Sequence, residues 1–224
     1  MNYLMVKRLI WKDWYLQRVP IIGSIVAGAL SLLVIIAGGR AGFILGLIML
    51  VTVLIGIGAH FAFSTIIYER KEQTLPFVMS LPVSYREYTA AKIAANLSIF
   101  LIPWIALLVG SFAVISMSHP APFGLVPFVA IMAVEILLST CLIDAVALTT
   151  ESQGWTIGAI IVGNLALNGI GYYVAHIPSI AKGMTGTSIQ WTPAASTLLT
   201  IECALIVLLL GFTFLFQARR KDFI

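Results

Sequence analysis

The chain has 224 residues, of which 60% are hydrophobic and only 10% charged, and its mean hydropathy is +1.04. A soluble domain carries about a quarter charged residues, so a bilayer must be the solvent for most of this chain. The net charge is +4, but the basic residues flank apolar runs and form no stripe with aromatic platforms, which gives nucleic-acid binding no support.

Residues 1–18 combine Lys7, Arg8, Lys12, Asp13 and Arg18 with Trp11 and Trp14. This is a membrane-interface composition rather than a cleavable signal core. It predicts a helix lying at the inner interface and turning into the membrane at Pro20. Leu4, Leu9, Ile10, Trp11 and Leu16 spread widely around the helical wheel, and the alternative is a plain extension of the first span.

Six spans follow, at Val19–Ala37, Gly42–Tyr68, Ile93–Ser116, Leu125–Thr149, Trp155–His176 and Thr197–Phe216. Backbone satisfaction in lipid makes each a helix, so the fold class is an all-α integral membrane protein forming one domain, 1–224. Gly38, Gly39 and Arg40 predict a tight first hairpin. Pro103, with Trp104 beside it, predicts a bend in the third span. His119, Pro120, Pro122 and Pro127 break the chain before the fourth span, and residues 177–196 form the longest connection on that side. Cys141 and Cys203 lie in different spans and read as small apolar fillers.

One side of this arrangement carries eleven Lys and Arg, among them Lys12, Arg70, Lys71, Arg86, Lys92 and Arg219, and the other only Arg40 and Lys182. That asymmetry predicts cytoplasmic termini and a cytoplasmic 69–92 connector.

The connector separates two runs, Ala41–Tyr68 and Ile93–Ser118, that contain no Asp, Glu, Lys or Arg. Ser84 followed by Glu87 is a capping box, which predicts a helix starting at Tyr85. Pro76 and Pro82 leave room for a short helix or turn near Thr74–Leu81. Leu75, Phe77, Val78, Met79 and Leu81 are then exposed unless something covers them. A docking knob is the preferred reading, and folding back on the chain's own helix ends is the alternative.

The order Glu69-Arg70-Lys71, Thr74, Ser80-Leu81-Pro82-Val83-Ser84, Arg86, Glu87 and Lys92 resembles the permease subunit of bacterial ABC transporters of the type-2 exporter class. Pro76 departs from the usual continuous helix of that connector. The resemblance implies an interfacial N-terminal helix, six spans, and a connector serving as coupling element for a separate ATPase subunit. It implies docking through Glu69, Arg70, Thr74, Leu75, Phe77, Leu81, Pro82, Tyr85 and Arg86. It also implies a pair of permeases in a bacterial cytoplasmic membrane, exporting a peptide, drug or lipid-like compound. No Gly-Lys dipeptide and hence no phosphate loop occurs. ATP and Mg are therefore expected on the partner, with no cofactor and no enzymatic activity on this chain.

Polar residues inside the spans are the candidate pathway groups: Glu135, Asp144, Glu202, Asn164, Asn168 and His60. A carboxylate in hydrocarbon must be paired, protonated or hydrated. Glu135 and Asp144 are nine residues apart and face opposite sides of their helix. Asn164 and Asn168, one turn apart, are expected to bond across helices. Gly42 with Gly46, and Gly154 with Gly158, allow close helix approach. His60, His119 and His176 have no metal-ligand spacing. A membrane-embedded enzyme and an ATP-independent transporter or channel remain as alternative functions.

Overall fold

The computed structural model describes residues 3–71, 84–117, 122–184 and 186–218, with the side chains of Arg40, Arg70, Tyr85 and Ala218 outside the description. The described residues form helices and no strand. They are α1 (Tyr3–Ala37), α2 (Gly39–Ala62), α3 (Tyr68–Lys71), α4 (Tyr85–Met117), α5 (Val126–Thr150), α6 (Gln153–His176), α7 (Pro178–Met184) and α8 (Pro193–Ala218). A π-helical turn, Phe63–Ile67, joins α2 to α3. Six stretches are long and apolar enough to cross a bilayer, so this is an all-helical, multi-pass membrane protein. The helices run up and down. Lys71 and Ser84, the described residues on either side of 72–83, mark one end of the bundle, here called the connector end.

α1 differs from expectation. It continues through Pro20 as one 35-residue helix. The reason lies in its buried face: Leu9, Asp13, Gln17, Ile21, Ser24, Gly28 and Ser31 form one unbroken stripe at helical spacing. The outward face carries Val19, Ile22, Val26, Leu30 and Leu33, all exposed. In lipid there is no hydrophobic drive between helices, so small and polar residues turn inward and large apolar ones outward. An apolar stripe was the wrong thing to look for on this helix.

The α1–α2 hairpin is as tight as Gly38 and Gly39 predict. Gly39 sits at φ +54, a conformation side chains rarely adopt. Gly42 and Gly46 then face α1 at close range, as expected: a Cβ on Gly46 would meet the Ser31 carbonyl oxygen at 2.7 Å. Gly154 and Gly158 are different, since no atom of another helix lies within 4 Å of a Cβ placed there.

The main core joins Ile21, Leu50, Leu54, Phe61, Ile99, Phe100, Leu107 and Ile136 from α1, α2, α4 and α5. α4 runs through Pro103, and Trp104 donates its indole N–H to the Ala133 carbonyl of α5 at 2.8 Å. The capping box at the start of α4 forms as predicted. Ser84 N–H donates to Glu87 Oε2 at 2.9 Å, and Glu87 N–H donates to Ser84 Oγ at 3.3 Å. Losing the Ser84 hydroxyl (Ser84→Ala) should cost about 1 kcal/mol, measured as a lower thermal midpoint of the purified protein.

Candidate functional site

Both roots of the connector end in charge. Glu69 lies on α3, and Lys92 lies one turn beyond Tyr88 on α4. The buried stripe of α1 brings Asp13 between them. Lys92 Nζ bonds Asp13 Oδ2 at 2.8 Å and Glu69 Oε2 at 2.9 Å, and its side chain is only 1% exposed. Lys12 pairs with Glu69 and lies 3.4 Å from Asp13 Oδ1. The Tyr88 hydroxyl donates to Glu69 at 3.2 Å, and the Tyr88 ring lies under the Lys92 ammonium at 5.7 Å.

Asp13 and Glu69 thus meet Lys92 and Lys12 in one largely buried cluster drawn from three helices. Burial pushes the Glu69 carboxyl up, but the Lys92 and Lys12 ammoniums outweigh it and hold it below the usual carboxylate range. The cluster clamps the two roots of the connector to each other and to α1.

One turn further in, a second polar tier begins on the π-helical turn. Such turns insert an extra residue and redirect side chains, often at functional sites. Here Ser64 meets α1 while Thr65 meets α4. Gln17 Nε2 donates to Ser64 Oγ at 2.8 Å, and Gln17 Oε1 accepts from His60 Nε2 at 3.2 Å, which takes His60 as its Nε2–H tautomer. The Thr65 hydroxyl donates to Asn96 Oδ1 at 2.7 Å, and Asn96 Nδ2 donates to Asp144 Oδ1 at 3.0 Å. Trp14 adds an indole bond to Ser98 Oγ at 2.9 Å. Two short hydrogen-bonded chains, His60–Gln17–Ser64 and Thr65–Asn96–Asp144, thus stand one turn inside the clamp and make a polar column with it.

Of the expected pathway groups, Asp144 and His60 belong to this column. Glu135 is also buried on α5 and, nine residues from Asp144, stands on the other side of that helix. The opposition of Glu135 and Asp144 around their helix therefore holds. Asn164 and Asn168 do not behave as expected. Each donates to a carbonyl one turn back on its own helix, Ile160 at 3.0 Å and Asn164 at 2.8 Å, rather than across helices. α6 satisfies them locally because their faces are turned away from α5.

Of the expected docking residues, Thr74, Leu75, Phe77, Leu81 and Pro82 lie outside the described residues, as do the side chains of Arg70 and Tyr85. Glu69 is turned inward to Lys92, while Arg86 is exposed at the start of α4. His119 also lies outside the described residues.

Asp13, Gln17, Thr65, Tyr88, Lys92 and Asn96 were not among the site residues expected from sequence, although Asp13 and Lys92 were read there as interface and connector charges. A signal existed: Asp13 with Gln17 and Lys92 with Asn96 are polar pairs four residues apart, each on one face of a helix end. Among the described residues, no group of three His, Cys, Asp or Glu is placed to hold a metal ion. The chemistry of the site is thus that of a buried ionic clamp and a polar column. The class it defines, with the fold, is a multi-pass helical membrane protein. No protein family, characterised protein or solved structure matches the chain.

Proposed function

We propose that the chain is the permease subunit of an ATP-driven exporter of the type-2 ABC class. It works as a pair of permeases in a bacterial cytoplasmic membrane with two separate ATPase subunits. The observation that carries this reading is the clamp. A connector that transmits movement must be anchored at both roots, and Glu69 and Lys92 hold those roots to α1 through buried charge. The cytoplasmic excess of Lys and Arg and the Ser80–Ser84 sequence support the same reading.

In this scheme ATP binding closes the ATPase subunits, and the connector receives the movement through Leu75, Phe77, Leu81 and Pro82. The clamp passes that movement to α1, α2 and α4 together. The spans then alternate access to a cavity between the two permeases, and the cargo is a peptide, drug or lipid-like compound. With its carboxylate engaged internally, Glu69 serves the clamp, and exposed Arg86 carries the orienting charge toward the ATPase.

The test is co-purification. Tagged full-length chain, extracted from its own host membranes, should bring an ABC ATPase with it. Leu81→Asp should abolish that association while the chain still inserts and purifies, because a carboxylate cannot be buried unpaired at a contact. A normal complex from the Leu81→Asp chain, or turnover by the purified chain alone, would overturn the reading.

A further inference from the structure

α5 and α8 both start at the end of the bundle opposite the connector and pack along each other in the same direction. Glu135 lies nine residues past Val126, and Glu202 nine residues past Pro193. At a rise of about 1.5 Å per residue, both stand about 14 Å into their helices. That is the middle of a hydrocarbon core about 30 Å thick. The sequence placed these acids on separate spans with no relation between them, and the fold pairs them.

Ile131 of α5 packs with Ala195, Leu198 and Leu199 of α8 one turn nearer the helix starts, so the two acids stand at one level on touching helices. Glu135 is 2% and Glu202 4% exposed, and Oε2 of each is buried without a hydrogen-bond partner. Asp144, on the same helix, shows the contrast, because Asn96 answers it. Titratable groups on the surrounding helices are engaged elsewhere or turned away. His60 on α2 bonds Gln17, Lys92 on α4 bonds Asp13, and His176 on α6 bonds its own helix. Glu87 of α4 caps its helix and Tyr88 bonds Glu69. Cys141 sits a turn and a half further along α5, and Tyr172, Tyr173, Lys182 and Cys203 are exposed. Among the described residues no cation is bonded to either carboxyl.

Two carboxylates side by side in a medium of low dielectric cannot both stay ionised. The pair must hold positive charge, and with no ammonium or guanidinium of the described residues bonded to it that charge is a proton. A group that carries its own positive charge into the same place can take the proton's position. In the middle of the hydrocarbon core such a cation must carry its charge on an apolar body.

We propose that Glu135 and Glu202 form a cation-accepting site in the middle of the membrane, which exchanges a bound proton for a monovalent lipophilic cation. The exchange balances: one carboxyl O–H breaks, its proton leaves to water, and one positive charge arrives against the carboxylate left behind. The site needs no ATPase partner to bind, so it stands or falls apart from the permease reading.

The test uses the purified full-length chain in nanodiscs with labelled tetraphenylphosphonium. Saturable binding is expected, tightening as pH rises, with one proton released per cation bound in weakly buffered solution. Glu135→Gln and Glu202→Gln should each lose the proton release and weaken binding at least tenfold. Glutamine keeps the side-chain shape, and a thermal melt checks that each variant is folded. If neither variant folds, proton release by the unaltered chain alone decides. No saturable binding, binding without proton release, titration of the pair with no cation uptake, or unchanged binding in both folded variants would each overturn the proposal. Any of these would leave ATPase co-purification untouched.

Discussion

Replacing Lys92 by methionine should destabilise the folded chain by about 3–5 kcal/mol, the usual consequence of removing one partner from a buried ion pair. Methionine fills much of the volume, so the loss comes from charge. Asp13 keeps its burial with only Lys12 beside it, at 3.4 Å, and Glu69 loses its 2.9 Å contact. Adding Asp13→Asn and Glu69→Gln should restore most of the stability, because a neutral set of similar shape no longer buries uncompensated charge.

The pH dependence separates this account from simple loss of packing. In the unaltered chain the Glu69 carboxyl is held low by Lys92 and Lys12. Its contribution is therefore complete above the ordinary carboxylate pKa of about 4.3 and is lost as pH falls through the lower folded value. In Lys92→Met one of the two cations is gone, and burial acts on Glu69 with Lys12 still opposing it. Acid should then cost the variant less than it costs the unaltered chain, so the two thermal midpoints converge as pH falls below about 5. A Lys92→Met chain that melts with the unaltered one at neutral pH, or a gap that widens in acid, would contradict the clamp.

The spans were readable because each is a long uncharged run, and the bilayer leaves the backbone one way to satisfy itself there. The capping box was readable for a similar reason, being local: Ser84 and Glu87 specify their own geometry three residues apart. The clamp was not readable. Lys92 counts as one more positive charge at a membrane end, and only the packing of α1 against α4 reveals that it is buried against a carboxylate 79 residues away. The same holds for Glu135 and Glu202, whose relation depends on α5 and α8 lying side by side. The π-helical turn escaped because one inserted residue in a uniformly apolar run leaves no break in composition. The continuity of α1 through Pro20 escaped because the buried face there is polar, the reverse of the pattern a soluble helix would show. The rule that polarity turns inward in lipid would have favoured a single helix.

Two glycines in the first halves of different helices should respond in opposite ways to the same added methyl group. Gly46→Ala should cost about 1–3 kcal/mol as an overpacked contact, seen as a lower thermal midpoint and a smaller folded fraction on size exclusion. The new Cβ would meet the Ser31 carbonyl oxygen at 2.7 Å and the Ile35 backbone nitrogen at 2.9 Å. These are backbone atoms of a helix joined to α2 by a two-glycine turn, and neither can rotate aside. α1 must move away, and Asp13 and Gln17 lie on the same buried stripe that would shift. Gly46→Ala should therefore also weaken the clamp, so combining it with Lys92→Met should cost less than the sum of the two alone. Gly158→Ala is the control, since nothing lies within 4 Å of its Cβ. Inside α6 it gains the helix propensity that glycine lacks, about 0.8–1 kcal/mol, and the melt should be unchanged or higher. Equal losses at both positions would mean that the close approach of α1 to α2 is not what Gly46 provides.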